Sequence, residues 1–533
     1  MDDLLLSLEE SKTQQLNILG KTIVSDILNN QTHVATEKIV EFIKKYYTFK
    51  SIRNDNGVEM WVYQNGIYIE NGISYVREIC RELFGDKHSI KYANQIIYKL
   101  KSDSLVDHNE FFNMQSEFPH LLPVENGILN LNTKQVEDFT PDIIFFTKLR
   151  YKYNPDAICN DIQKFIRSIV KTDLDLLTIQ EIIGFTLLRE YEWEKGFMFY
   201  GEHGRNGKSK LLSLIQKLLG SNNCSSVALQ DLETDQFCLI NLHNKLVNIA
   251  ADLSNQAMDN TGKYKQLTGR DEVTANRKNK THIQFKNYAK MIFACNELPI
   301  IKTITKAFWL RWVVIDFPYR FLPQNELNAL EDKTGAFLQD PNIINKISCD
   351  DEMEGLLVWA VEGYQRLKDK GSFSNEKTAS TIEKFWGRKS NSVKAFIDDM
   401  IEYSYDSKVT KEEFRKEYHE YCKRFNIPQM SERLIKTTLE NQLGIETKKI
   451  FIKTDEGSSQ FRVWQGIKFK DVGLLKFHPD RILEFVAGSE KGVKFSALQT
   501  MFDDVDNIFE QVKLLEREGS IIEMPVGVWR LPR

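Results

Sequence analysis

Residues 197–220, FMFYGEHGRNGKSKLLSLIQKLLG, narrow the folds open to this chain more than any other stretch. Phe197, Met198, Phe199 and Tyr200 make a short apolar run of the kind that a strand buried on both faces requires. Gly207, Lys208 and Ser209 then open a segment with apolar residues at Leu211, Leu214, Ile215, Leu218 and Leu219, which is helical spacing, and Gly220 closes it as a C-cap. A glycine-rich turn between a buried strand and a helix aims free backbone N–H groups and the positive end of the helix dipole at one spot. With Gly-Lys-Ser at the helix start, that spot reads as a phosphate-binding loop. Lys208 is placed for the β and γ phosphates of ATP, and Ser209 for Mg2+. Gly204, Asn206, Gly207, Lys208 and Ser209 are the expected nucleotide-binding residues.

The loop departs from the G-x-x-x-x-G-K-[ST] pattern in one respect. Counting back from Gly207 puts the first glycine at position 202, which is Glu202. Gly201 comes one residue early and Gly204 lies inside the loop. The loop is either one residue longer than standard or turns at Gly204.

At 533 residues the chain is too long for a single core, so several domains are expected. No apolar run is long enough to span a bilayer, and the start, MDDLLLSLEESK, lacks the basic flank and apolar stretch of a signal peptide. A cytoplasmic location without a membrane partner is the expectation. The seven cysteines include no C-x-x-C pair, which argues against a zinc ribbon and a disulfide framework. A net charge of −4 excludes a nucleic-acid footprint over the whole surface, so any such contact must come from local basic clusters.

Before the loop, WVYQNGIYI at residues 61–69 carries Asn65-Gly66 between strand-like arms, the strongest short hairpin signal. Helical segments flank it, and ENGILNLNT at 125–133 begins another strand and turn region. No nucleophile, metal cluster or paired-carboxylate pattern stands out here. Residues 1–160 are therefore expected to form an α+β accessory or collar domain.

After the loop, KLVNIAADLS at 245–254 is an apolar strand running into Asp252, where a second strand of a nucleotide-binding sheet delivers an acid to Mg2+ and the attacking water. Position 251 is Ala, so no second acid adjoins it. Residues 273–275 and 282–285 read as two short strand arms, and Arg277, Lys278 and Lys280 fall at the tip between them. A ribbon with a cationic tip is suited to gripping phosphates. KMIFACN at 290–296 is a buried strand ending in Asn296, placed to orient the water or touch the γ phosphate. AFWLRWVVIDFP at 307–318 puts Arg311 just before another apolar strand, where it can serve as an arginine finger for a neighbouring subunit or as a surface ion pair.

These five stretches, in this order, resemble superfamily 3 helicases, and the set looks like the C-terminal helicase half of phage and plasmid primases. The upstream FTPDIIFFTKLRYKYNPDA and IQEIIGFTLL resemble the segment that precedes the ATPase in that family, so the likeness covers roughly residues 60–400. The absence of a primase constellation makes the chain similar to stand-alone replication helicases of mobile elements, such as the Rep proteins of staphylococcal pathogenicity islands. The resemblance implies a central α/β ATPase of AAA+ type over residues 161–385, working as a homohexameric ring that draws one DNA strand through its pore. It assigns Lys208 and Ser209 to nucleotide and Mg2+, Asp252 to the acid strand and Asn296 to the sensor. Arg311 matches the trans-acting finger, and Lys278 with its neighbours the pore hairpin.

Residues 386–469 have the order helix, helix, helix, two-stranded wing, with helices near 393–403, 411–425 and 432–443. Arg433 and Lys436 on the third helix, with Lys448, Lys449, Lys453 and Arg462 on the wing, give it a basic face suited to duplex DNA, the third helix entering the major groove. Residues 470–533 repeat the plan, but Asp503, Asp504, Asp506 and Glu510 would repel phosphate. This second winged helix is expected to contact a replication or regulatory protein. The leading function is thus an ATP-driven DNA helicase and replication initiator. An ATP-switched DNA-binding protein without unwinding activity is the rival reading, while a small-molecule kinase fits badly with two winged helices.

Overall fold

The computed structural model describes residues 18–29, 31–54, 57–254, 257–278, 280–301, 305–425, 427, 429–442, 444–454 and 457–470. Beyond them it describes only 486, 493–494, 498, 512, 515, 522–523 and 528–530.

The N-terminal unit is an α+β layer. Strand Phe49–Asn54 lies antiparallel to Gly57–Gln64, which turns back into Ile67–Ile69, and Leu105–Val106 pairs in parallel on the other side. Both residues of the Asn65-Gly66 turn are left-handed, with φ 48° and 88°, as a type I′ hairpin needs. Helices Thr32–Tyr46, Gly72–Phe84 and Ile90–Asp103 close a core of Ile39, Ile43, Val76, Cys80 and Ile96 against this sheet.

The packing of the central unit begins before residue 160. Leu122, Val124, Leu129 and Leu131, on and after the Leu121–Val124 and Gly127–Asn130 hairpin, share one hydrophobic cluster with the central sheet. Arg189 and Gln365 donate to the carbonyls of Leu121 and Leu131, and Lys368 Nζ reaches Asn132 Oδ1 at 2.8 Å. The alternation in ENGILNLNT announces an apolar face but not which unit covers it.

The centre is a five-stranded, all-parallel sheet in the spatial order Trp312–Asp316, Gly196–Tyr200, Lys290–Cys295, Val247–Ala250, Cys224–Ser225. The Gly196–Tyr200 and Lys290–Cys295 strands are buried throughout, so both faces must be apolar, and the continuous runs in the sequence meet that demand. Helix Lys208–Leu219 covers the sheet with Leu211, Leu214, Ile215 and Leu218, and Gly220 ends it at φ 82°. Helix Asp173–Thr186 starts on a capping box between Thr172 and Asp175 and packs against Asp350–Lys370. The two backbones come close because Gly184 and Gly363 carry no Cβ: one added to either would sit 2.3–2.4 Å from a carbonyl oxygen of the partner helix.

Between the third and fourth strands in chain order, Glu272–Arg277 and Lys280–Lys286 form an antiparallel ribbon whose last rung pairs Arg277 with Lys280. Val273 and Ala275 are buried at its base, and Lys278 is exposed at its tip.

The next unit comprises helix Ser392–Met400, strand Ile401–Thr410, helices Lys411–Phe425 and Glu432–Thr437, and the hairpin Thr447–Thr454 with Gly457–Phe469. Phe396, Phe414, Tyr418, Tyr421 and Trp464 form its core. The first helix, expected to reach Tyr403, stops at Met400. From Ile401 the chain instead pairs with the hairpin, Ile401 opposite Phe469 and Val409 opposite Trp464, and this long-range pairing overrides the local helical pattern. The Glu432–Thr437 helix is also shorter than expected and passes into a π-type turn at Thr438–Gln442, where β-branched Thr437 and Thr438 weaken the helix.

Most of the expected second winged helix, including Asp503, Asp504, Asp506 and Glu510, lies outside the described residues. Val493–Lys494, Val528–Arg530 and Ile522–Glu523 form a small antiparallel sheet there. Among the described residues, no helix is long and apolar enough to cross a membrane.

Candidate active site

In a parallel sheet every strand ends at the same edge, and a ligand crevice forms outside those carboxyl ends. Here that edge gathers Gly201, Asp252, Asn296 and Asp316. The loop leaves the sheet under tight control: Gly201 N–H donates to Cys295 O at 3.3 Å and Phe317 N–H to Tyr200 O at 2.8 Å. Asn206 folds back inside the loop, its Nδ2 donating to His203 O at 2.6 Å, and it is buried.

The glycines of the loop differ in their surroundings. A Cβ on Gly201 would lie 2.2 Å from Asn206 Nδ2 and 2.9 Å from Lys208 Nζ, so a side chain there would displace both of those side chains. A Cβ on Gly204 would meet nothing within 4 Å. The left-handed residues of the loop are Arg205, at φ 61°, and Gly207, at φ 88°. Of the two glycines that could stand for the first of the motif, Gly201 is the crowded one and Gly204 the open one. Gly201→Ala is expected to cut ATP hydrolysis about tenfold or more by displacing Asn206 and Lys208, whereas Gly204→Ala should stay within about twofold of wild type. Steady-state ATPase rates of the two variants check this, and an equal loss in both would return the turn to Gly204.

Lys208 is buried at the start of its helix, and its ammonium donates to Gly201 O at 3.0 Å and to Asn296 Oδ1 at 2.8 Å. Both acceptors are neutral. Burial pulls the Lys208 pKa down to about 8, against the opposing charges of Asp316 and Asp252. A cation held this way lacks a close counter-charge, which suits it to an arriving anion. Asp252 lies two residues beyond the Val247–Ala250 strand and is exposed, as is Ser209 on the first turn of the helix.

The structure thus brings Gly201, Asn206, Lys208, Asn296 and Asp252 to one edge. Arg311 is elsewhere. It precedes its strand, and with a rise of about 3.3 Å per residue from Trp312 to Asp316 it stands more than about 13 Å away, at the opposite edge. There its guanidinium bonds Ala307 O at 2.9 Å and Glu194 Oε2 at 3.1 Å. Arg433, Lys436, Lys448 and Lys449 are exposed on the 392–470 unit, and Lys436 lies 3.7 Å from Glu440.

Asp316 and Lys389 escaped sequence reasoning, and Glu202 stands out in the sequence only as a break in the motif. Glu202, at the irregular position, faces Lys389, whose ammonium is 3.6 Å from Glu202 Oε2 and 5.2 Å from the centre of the Tyr200 ring. Asp316 ends the strand beside the loop strand, and burial raises its carboxyl pKa against the pull of Lys389, Lys377 and Lys171. The rule that found Asp252, an acid at a strand's end, would also have found Asp316. Nothing in the sequence joins Lys389 to a loop some 180 residues earlier, because helix Ala379–Ser390 is brought there by the packing of Trp386 on Trp309 and Trp312.

Residues 40–171 match a family described as D5 N terminal like, and residues 199–307 match a family of unknown function, DUF5906. The chain is 25% identical over 393 residues to the "Putative helicase L207/L206" of Acanthamoeba polyphaga mimivirus, covering 67% of this chain and 39% of that protein. It is 25% identical over 272 residues to the "Putative primase C962R" of an African swine fever virus, covering 46% of this chain and 27% of that protein. It therefore spans well under half the length of either relative. Among solved structures, the C-terminal region of NrS-1 aligns over 80% of this chain and 98% of its own, with a TM-score of 0.40 and 12% identity. On its sequence matches, the chain is similar to superfamily 3 helicase- and primase-like replication proteins of viruses.

Proposed function

We propose that this chain is an ATP-dependent DNA helicase and replication initiator of a mobile genetic element, acting as a homohexameric ring with ATP bound between subunits. The observation that carries the reading is the buried Lys208 ammonium, held by Gly201 O and Asn296 Oδ1 at the carboxyl edge of a parallel sheet. In this reading Gly207, Lys208 and Asn206 shape the phosphate cradle. Lys208 neutralises developing charge on the phosphates, and Asn296 ties its position to the adjacent strand, where it can orient the attacking water. Ser209 and Asp252 are the residues that would hold Mg2+, which when bound supplies charge neutralisation on the phosphate oxygens. Arg311, distant from the loop of its own chain, is available only to a neighbour's site, and would exchange Glu194 for phosphate there.

The ribbon tip at Arg277, Lys278 and Lys280 would face the pore and hold one DNA strand. The 392–470 unit would hold duplex origin DNA, and the region beyond 470 would meet a replication or regulatory protein. A forked-duplex strand-displacement assay with and without ATP and Mg2+ tests the whole. Displacement that requires ATP is the expected result. ATP-dependent DNA binding without displacement would instead favour the switch reading.

A further inference from the structure

A cleft of about 570 Å³ opens in the 392–470 unit, where the start of helix Lys411–Phe425, helix Glu432–Thr437 and strand Gly457–Phe469 meet. Its lining carries five cations, Lys411, Arg415, Arg433, Lys436 and Arg462, against the carboxylates of Glu412 and Glu432, with Trp464 among them. Glu432 is already committed to Arg415 through two contacts, at 2.6 and 3.0 Å. Glu440, just outside the lining, lies 3.7 Å from Lys436 and accepts from Thr447 Oγ1 at 2.8 Å. Among the described residues, Lys411, Arg433 and Arg462 form no ion pair of this kind, and the Lys411 ammonium instead rests 4.1 Å from the centre of the Trp464 ring.

Like charges converging on a concave surface repel, and an anion seated among them relieves that repulsion. Lys411 registers the strain: burial first, and then Lys436 and Arg462, hold its pKa below the ordinary lysine value, against Glu440 and Glu432. The positive track does not stop at the cleft. Lys449, on the neighbouring strand, pairs with Arg462 across the sheet, so the two side chains share one face, while Lys448 alternates to the other. Strands lie about 4.8 Å apart, so Lys449 carries the positive charge from Arg462 at the cleft onto the wing, where it can meet a further phosphate of the same backbone. A continuous track fits a polymer backbone better than a free nucleotide.

We infer that this cleft seats a phosphodiester of the DNA backbone, and that the 392–470 unit grips duplex DNA without reading its sequence. The inference rests on the DNA-binding reading above and changes one part of it. The Glu432–Thr437 helix has six residues, and its two cations, Arg433 and Lys436, line the cleft. They contact phosphate, and phosphate contacts position a protein without specifying sequence.

The test measures binding of the full chain to labelled duplexes of unrelated sequence across a salt series. Lys411→Gln and Arg462→Gln are each expected to weaken binding several-fold, equally for every sequence, and to reduce the salt slope by about one. Arg462 is exposed, so its variant keeps the test valid even if loss of the Lys411–Trp464 contact perturbs folding. Wild-type binding with slopes unchanged in both variants, or a loss confined to one sequence, would overturn the cleft alone. A wild-type chain that binds no duplex at all would overturn the DNA reading and the cleft with it.

Discussion

Replacing Lys208 with Ala is expected to remove ATP hydrolysis, by about 10²–10³-fold or more, in a chain that still folds. The size follows from the site. Lys208 is a buried cation whose partners, Gly201 O and Asn296 Oδ1, are neutral, so its charge is fully available to an anion and acts where water is excluded. Folding should survive because the ammonium is itself penalised by burial, which has brought its pKa to about 8. The same shift fixes the sign of a pH effect. Bound phosphates would raise this pKa, so binding takes up a proton at pH values above about 8, and affinity falls as pH rises through that value. Calorimetric titration with ATP in two buffers of different ionisation enthalpy reads the proton uptake directly. Wild-type hydrolysis by Lys208→Ala, or an affinity indifferent to pH, would remove Lys208 from the phosphate site.

What could be read before the structure, and what could not, divides by the range of the interaction. The Gly196–Tyr200 and Lys290–Cys295 strands, the Lys208–Leu219 helix and the Asn65-Gly66 turn are written in residues adjacent to one another. Apolar runs, helical spacing and a left-handed dipeptide each impose their structure locally. Asp252 and Asn296 follow from the same logic, since a residue just after a parallel strand lies at the ligand edge. Applied strictly, that logic also sends Arg311 to the other edge, because it comes just before its strand. The missed features depend on distant partners. Ile401–Thr410 is a strand only because Gly457–Phe469 is there to pair with it. Leu122 and Leu129 belong to the central core, and the hairpin that carries them is tied there by residues far along the chain, Arg189 to Leu121 O and Gln365 to Leu131 O. Lys389 reaches Glu202 through a tryptophan cluster that no short window of sequence contains.

Lys278→Ala is expected to leave basal ATPase within about twofold of wild type while ATP-driven strand displacement falls by at least about tenfold. The ribbon separates the two activities physically. Its base is anchored, with Val273 and Ala275 buried in the central cluster and Asn287 Nδ2 bonded to Leu267 O at 3.0 Å just beyond it. Its tip is not part of that anchor: Lys278 is exposed, past the last backbone rung between Arg277 and Lys280. Removing the side chain therefore deletes a charge without disturbing packing, and an exposed substitution of this kind changes stability by no more than about 0.5 kcal/mol. In the proposed helicase the contact at stake is with a DNA phosphate, and such contacts are governed by charge more than by shape. Lys278→Arg should accordingly recover most of the displacement activity that Lys278→Ala loses. This rescue separates a phosphate grip from a structural role at the ribbon tip. The ATPase rate separates it from damage to the nucleotide site at the far side of the strand that the ribbon precedes. If Lys278→Ala displaced strands at the wild-type rate, the ribbon would be a solvated turn, and the force on DNA would have to come from another surface.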